Sequence, residues 1–295
     1  MSKFKKAQKS QSKLRLALFG PSGAGKTFTA LRLAKGIGGK TAFIDSERGS
    51  ASKYADRFEF DTCPLEKRTI DEYVEVINDA ALAGYETLVI DSMSHAWQEL
   101  LEEVDRIAKA KYRGNTWGAW NEGTPKQKKL VNAILDFPGH IIATMRSKTE
   151  WSIETSSDGK TKPTRQGLAP EQGKGIEYEF DLLIELSVDH IGNVIKDRSG
   201  KFQDSLVEKP DEKFGEQLAE WLSDGDEVTV DENRSKQALA GFIERLSQVK
   251  KEDEINQILK KWELTKTQKK LTEEDYQSGI EKADAFRNTL IGATK

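Results

Sequence analysis

The octapeptide GPSGAGKT at residues 20–27 constrains what this chain can fold into more than any other feature. It fits G-x-x-x-x-G-K-[ST] in full, a pattern that ordinary residue frequencies produce in a chain of this length about 1% of the time. Before it, LRLALFG reads as a short apolar strand; after it, FTALRLAKGI has helical periodicity. A glycine-rich turn between a strand and a helix is a cradle for phosphate. Gly20, Gly23 and Gly25 let the backbone curl so that successive N–H groups point inward, with Pro21, Ser22 and Ala24 completing the loop. The helix adds the positive end of its dipole. Lys26 is placed for the β- and γ-phosphates of ATP, the Thr27 hydroxyl for Mg2+, and Phe28 follows beside the cofactor.

The alternation continues beyond the loop. KTAFID, ETLVID and GHIIATM read as buried strands, and IDEYVEVINDAALAG and MSHAWQELLEEVDRIAKAK as helices. YRGNTWGAWNEG reads as a loop, with Pro125 in the first turn of the next helix. Short apolar strands separated by longer helices predict an α/β fold, a mostly parallel sheet flanked by helices. FDLLIEL and GNVIKDR add strands, and EKFGEQLAEWL another helix. Past the acidic stretch GDEVTVDEN, helical stripes such as Leu239, Phe242, Ile243, Leu246 and Val249 predict a small C-terminal helical domain. The expected organisation is a basic tail over 1–13, an ATPase core over 14–224, a linker over 225–234 and a helical domain over 235–295.

Two acids fall where a phosphate site needs them. In TLVIDS, Asp91 emerges at the C-terminal end of a buried strand, where ligands sit in open parallel sheets, and is placed to hold a Mg2+-bound water with Ser92 beside it. In TAFIDSERG, Glu47 follows a second strand end and is placed to polarise the attacking water. Asp45 is its nearest competitor, Glu99 and Glu102 are weaker ones, and a plain polar loop is the alternative. Thr144, or Arg146 just beyond it, is placed to sense the γ-phosphate.

Net charge is −3, which excludes a strongly basic protein and leaves nucleic-acid binding to local patches. One such patch is the expected loop 109–129, where Lys109, Lys111, Arg113, Lys126, Lys128 and Lys129 accompany Trp117 and Trp120. Cations beside aromatic faces suit a single-stranded track, although both tryptophans packing inward would serve as anchors instead. A second is the polar loop 147–178, where Lys160, Lys162 and Arg165 suit backbone phosphates. The cations of residues 3–15 form an arm for phosphates or a solubilising tail. The single Cys63 suits a reducing cytoplasm, and no apolar run or leader pattern points to a membrane or to export. His95, His140 and His190 lack metal-ligand spacing.

Together, GPSGAGKT, AFIDSERGSASKYA and LVIDS resemble the RecA-type recombinase ATPase core. HIIATMRSKTEW, GKGIEYEFDLLIEL and VIKDRSGKF narrow the resemblance to the small RecA-like ATPases of bacteriophages, associated with single-strand annealing and recombination. It spans residues 14–210. The resemblance implies a Mg2+-dependent ATPase with Glu47 as catalytic glutamate, working on single-stranded DNA in phage-type recombination or annealing. It also implies a homo-oligomer with shared ATP sites, in which Lys196 or Arg198 reaches a neighbour's nucleotide; the C-terminal helices lie outside it and could recruit a partner, a single-strand-binding protein or another copy of the chain. Two departures stand out. Thr144, Met145, Arg146 and Ser147 replace the glutamine that RecA-type enzymes carry there, and nothing before Leu14 matches the N-terminal domain of bacterial RecA. Assisted annealing is therefore expected rather than full strand exchange. The alternatives are an AAA+-type remodelling or loading ATPase, a nucleotide or small-molecule kinase, and a non-hydrolysing ATP-dependent binding module.

Overall fold

A computed structural model describes residues 4, 6–155, 161–227 and 229–292. The phosphate-loop strand β1 (Arg15–Gly20) leads into α1 (Lys26–Ile37) and β2 (Thr41–Asp45). Next come β3 (Asp61–Pro64), α2 (Ile70–Leu82), β4 (Thr87–Asp91), α3 (Met93–Lys111) and α4 (Thr116–Asp136). β5 (His140–Thr155), β6 (Thr161–Pro170), β7 (Leu182–Leu186), β8 (Ile191–Asp197), β9 (Leu206–Glu208) and α5 (Glu212–Ser223) complete the α/β part. The chain ends in α6 (Glu232–Ser247), α7 (Glu252–Thr267) and α8 (Glu273–Gly292).

Among the described residues the sheet runs β3-β2-β4-β5-β1-β7-β8-β9. Strands β3 to β7 in that row are parallel, and β8 and β9 close one edge antiparallel. β1, β2 and β4 are buried along their whole length because helices cover both faces. Side chains alternate between the two cores with the strand period of two. Ala17, Phe19, Leu88 and Ile90 face α2, α3 and α4, whereas Leu16, Leu18, Phe43 and Val89 face α1 and α5. This is the mixed α/β core expected, with a separate C-terminal helical region. There Phe242 and Trp262 stack with ring centroids 4.3 Å apart, amid Leu246, Val249, Ile255 and Ala283.

One buried charge anchors the lower end of β1. The Arg15 guanidinium donates to the carbonyls of Leu14 (3.0 Å), Gly139 (2.8 Å), Leu135 (3.0 Å) and Phe137, closing the C-terminal end of α4. Burial lowers its pKa to about 10, against the pull of Asp181 and Asp136.

Several expectations need correcting. The loop expected over 112–123 is mostly helix: α4 starts at Thr116 behind an Asn115 cap that accepts from the Gly118 N–H at 3.2 Å, and Pro125 lies inside it. The loop expected over 147–178 is largely a hairpin, β5 continuing to Thr155 and β6 returning antiparallel against it. Lys160 lies outside the described residues, as do the side chains of Lys162 and Arg165. β3 and β9 had no sequence signal. The arm before Leu14 is held as well: Ser10 bridges Asp226, and Lys9 pairs with Asp224 at 2.5 Å.

Candidate functional site

The register of the parallel strands sets the site. Asp45 of β2 pairs with Asp91 of β4, Ile90 with Ala143 of β5, and Gly20 of β1 with Arg146. The ends of β1, β2 and β4 and the middle of β5 therefore open onto one cleft of about 910 Å³ around the phosphate loop. Gly20 is required by its neighbour, since a Cβ there would lie 2.3 Å from the Leu186 carbonyl oxygen. Gly25 is required by its backbone, at φ +81° where the loop turns into α1. Pro21, Ser22, Gly23, Lys26, Thr27 and Phe28 line the cleft; Ala24 is buried behind it, its carbonyl 3.2 Å from His190 Nδ1.

Lys26 Nζ donates across the loop to the carbonyls of Gly20 (3.0 Å) and Pro21 (2.8 Å). Burial lowers its pKa, partly offset by Asp91 and Glu47, so an added anion is the partner that this ammonium suits. Asp91 is buried and accepts two hydroxyl protons, from Thr27 to Oδ2 at 2.6 Å and from Thr144 to Oδ1. Burial raises its pKa while these two hydrogen bonds lower it. Thr144 is thus fully buried behind the acid rather than on the cleft surface, and does not line the cleft.

The donor set fits a hard divalent cation. Thr27 and Asp91 offer only oxygen, and no cluster of three or more acidic, His or Cys side chains exists among the described residues. Mg2+ is commonly held this way, by one or two protein oxygens with substrate phosphates and waters supplying the rest.

Glu47 and Asp45 have separable roles. Asp45 accepts at 2.7 Å from the backbone N–H groups of Glu47 and Gly49, one at each oxygen, and is buried and absent from the cleft lining, so it builds the turn. Glu47 lines the cleft with its side chain 34% exposed and its Oε1 3.1 Å from Arg146 Nη2. Glu99 and Glu102 face Arg106 at 2.7 and 3.8 Å and do not line the cleft.

Other candidates lie away from the cleft. Lys196 Nζ donates to the carbonyls of Glu177 (2.8 Å) and Tyr178 (3.1 Å). Arg198 donates to the Tyr178 carbonyl (2.7 Å) and pairs with Asp181 (3.1 Å). Neither lines its own chain's nucleotide cleft. At the α3–α4 corner, Lys111 pairs with Glu122, Lys109 with Asp105, Lys126 with Glu103 and Lys129 with Asp71. Trp120 is half-buried, stacked on Trp97 at 5.6 Å, so it is an anchor and not a stacking platform. Trp117 is 87% exposed, and Arg113 is exposed nearby in sequence.

Three site residues had no sequence signal. His190 lies against the loop at Gly25, and Ser46 and His95 form a buried pair beneath Glu47. A strand-end serine and a helical histidine have no local spacing that would connect them.

The sequence matches a known family, described as AAA domain, over residues 12–207. Comparison with curated proteins gives no match. Among the described residues, no helix is long and apolar enough to cross a membrane.

Proposed function

The chain belongs to the AAA domain family, whose match covers its phosphate loop and all the strand ends around it, and from that premise we propose that it is a magnesium-dependent ATPase in which Glu47 takes the proton from the attacking water. The observation that carries this reading is Glu47 standing in the same cleft as the loop and the Thr27–Asp91 pair, with the competing Asp45 spent on its own turn. In this reaction Lys26 exchanges the carbonyls of Gly20 and Pro21 for phosphate oxygens. The loop N–H groups and the start of α1 hold the remaining charge. Thr27 and Asp91 would hold Mg2+, which when bound neutralises phosphate charge. Arg146, which lines the same cleft, would face the terminal phosphate, and Glu47 orients and deprotonates the water, yielding ADP and phosphate.

Replacing Glu47 by Gln tests this. ATP affinity should persist while turnover falls by about 10²- to 10⁴-fold. Turnover that survives would remove Glu47 as the base.

For the work driven by hydrolysis, the family match favours remodelling or loading of another macromolecule, one of the alternatives drawn from the sequence. A second reading, phage-type recombination or annealing on single-stranded DNA, is supported by the exposed Trp117, four residues from the exposed Arg113, and by the long β5–β6 hairpin leaving the cleft at Arg146. Stimulation of turnover by single-stranded DNA, steeply reduced by salt, separates the two. In either case a second copy would complete the site through Lys196 or Arg198. Adding Arg198→Ala protein to active protein should then depress turnover below simple additivity.

A further inference from the structure

We infer that His95 is a positioning residue for Glu47, holding the carboxylate through a hydrogen-bonded joint with Ser46; this rests on Glu47 being the base. Ser46 Oγ is buried where β2 and β4 end. It lies 2.8 Å from the Ser92 N–H, 3.0 Å from the Asp91 carbonyl, 3.3 Å from the Ser92 carbonyl and 2.7 Å from His95 Nδ1. On the far side of the ring, His95 Nε2 stands 3.7 Å from Glu47 Oε1.

Either tautomer satisfies the bonds around Ser46, whose proton can go to a carbonyl or to the ring, so the charge facing Nε2 assigns the proton. A hydroxyl has one proton to give and two lone pairs to accept with. The Ser92 N–H uses one lone pair. If the ring carried its hydrogen on Nδ1, that N–H would take the second, and a bare Nε2 lone pair would face a carboxylate. That arrangement is repulsive. With the hydrogen on Nε2, Ser46 donates to Nδ1 at 2.7 Å, and the positive edge of the ring stands 3.7 Å from Glu47 Oε1, an electrostatic contact longer than a hydrogen bond. Burial and the nearby Arg146 lower the His95 pKa, in keeping with a neutral ring that has one N–H.

The consequence is geometric. Oε1 of Glu47 accepts from Arg146 at 3.1 Å and has the His95 ring edge 3.7 Å away, so both groups act on the same oxygen. A carboxylate held at one oxygen keeps the other for the water. The serine ties this hold to the strand end that bears Asp91, so the base and the metal-side acid share one rigid joint. Such supports decide whether a reacting group sits within reach, and small misplacements cost large factors in rate.

His95→Asn and His95→Gln separate the two ends of the ring. Asn reaches Ser46 but presents nothing at the Nε2 position, whereas the longer Gln amide puts an N–H there. His95→Asn should lower kcat about tenfold or more with KM for ATP changed less than twofold, and His95→Gln should recover most of the loss. Ser46→Ala, which keeps the ring but removes its donor, should lower kcat in the same direction. Calorimetric ATP affinity confirms a folded site in each variant. Wild-type kcat in His95→Asn, no recovery in His95→Gln, or an effect confined to KM would overturn the assignment. Glu47→Gln measured in parallel keeps the layers apart: an active Glu47→Gln overturns the base reading, whereas an inactive one beside unimpaired His95 variants overturns only the role of His95.

Discussion

Arg146 Nη2 lies 3.1 Å from Oε1 of Glu47, joining the middle of β5 to the turn that follows β2 across the mouth of the phosphate loop. Arg146 is also in register with Gly20, the first residue of that loop, and is the last residue before β5 becomes one arm of the hairpin. A cation so placed already pairs with the carboxylate and, with ATP in the cleft as proposed, would also reach a terminal phosphate. Arg146→Ala is therefore expected to compress the preference for ATP over ADP by about tenfold, the size of one charge-assisted hydrogen bond. Dissociation constants for both nucleotides measure it. An unchanged ratio would mean that Arg146 does not read the γ-phosphate.

Thr144 supports Asp91 from inside the sheet. Its hydroxyl and that of Thr27 are what offset the burial of the carboxylate. Thr144→Val keeps the shape of the side chain and removes one donor, leaving a buried carboxylate oxygen short of a partner. The magnesium concentration for half-maximal ATPase should rise about tenfold, and Thr144→Ser should restore it. A magnesium titration of the two variants decides the point; equal midpoints would leave Thr144 a packing residue.

Much of this was legible in the sequence wherever a local pattern carried it. The loop and the apolar runs of β1, β2 and β4 announce themselves through composition and length, and the period of α3 marks both its ends. α4 was hidden because its glycines look like loop residues. Gly123 is there for close approach of two helices, since a Cβ would lie 2.6 Å from Val104 Cγ2. The β5–β6 hairpin was hidden because its strands lack an apolar face to alternate. Asp45 and Glu47 could not be separated by type or spacing, because what separates them is the backbone of their own turn. Ser46 and His95 meet only after β4 pairs with β2.

Acid should weaken the fold at a specific residue. His140 Nδ1 accepts the Leu14 N–H at 3.1 Å, which requires an unprotonated nitrogen. Burial, with Lys13 and Arg15 nearby, lowers its pKa from 6.5 to about 4. The unfolded chain therefore binds this proton first, and stability is lost as pH falls from 6.5 toward 4, with no effect above that range. The loss should reach a few kcal/mol at most. His140→Asn offers an amide oxygen to the same N–H and does not titrate. Urea unfolding at several pH values should show a shallower acid slope for the variant, and the difference isolates this residue from carboxylates titrating nearby. Parallel slopes would place the acid sensitivity elsewhere.

The two tryptophans of α4 make the sharpest contrast for the nucleic-acid reading. Trp120 stacks on Trp97 at 5.6 Å and packs against the core shared by α2, α3 and α4. Trp120→Ala should cost about 1–3 kcal/mol of stability, less than a fully buried tryptophan would, whatever the protein binds. Trp117 is 87% exposed on the first turn of the same helix, so Trp117→Ala should leave stability within about 0.5 kcal/mol. A large aromatic side chain left in solvent contributes area only when something covers it. If bases of single-stranded DNA do so, Trp117→Ala should weaken binding by about 1–3 kcal/mol. The salt dependence should stay the same, because stacking releases no counterions, whereas Arg113→Ala should reduce the salt slope. Binding isotherms at three salt concentrations distinguish the outcomes. Equal affinity of Trp117→Ala and wild type at every salt would take this corner out of any DNA path and leave the hairpin to carry it alone.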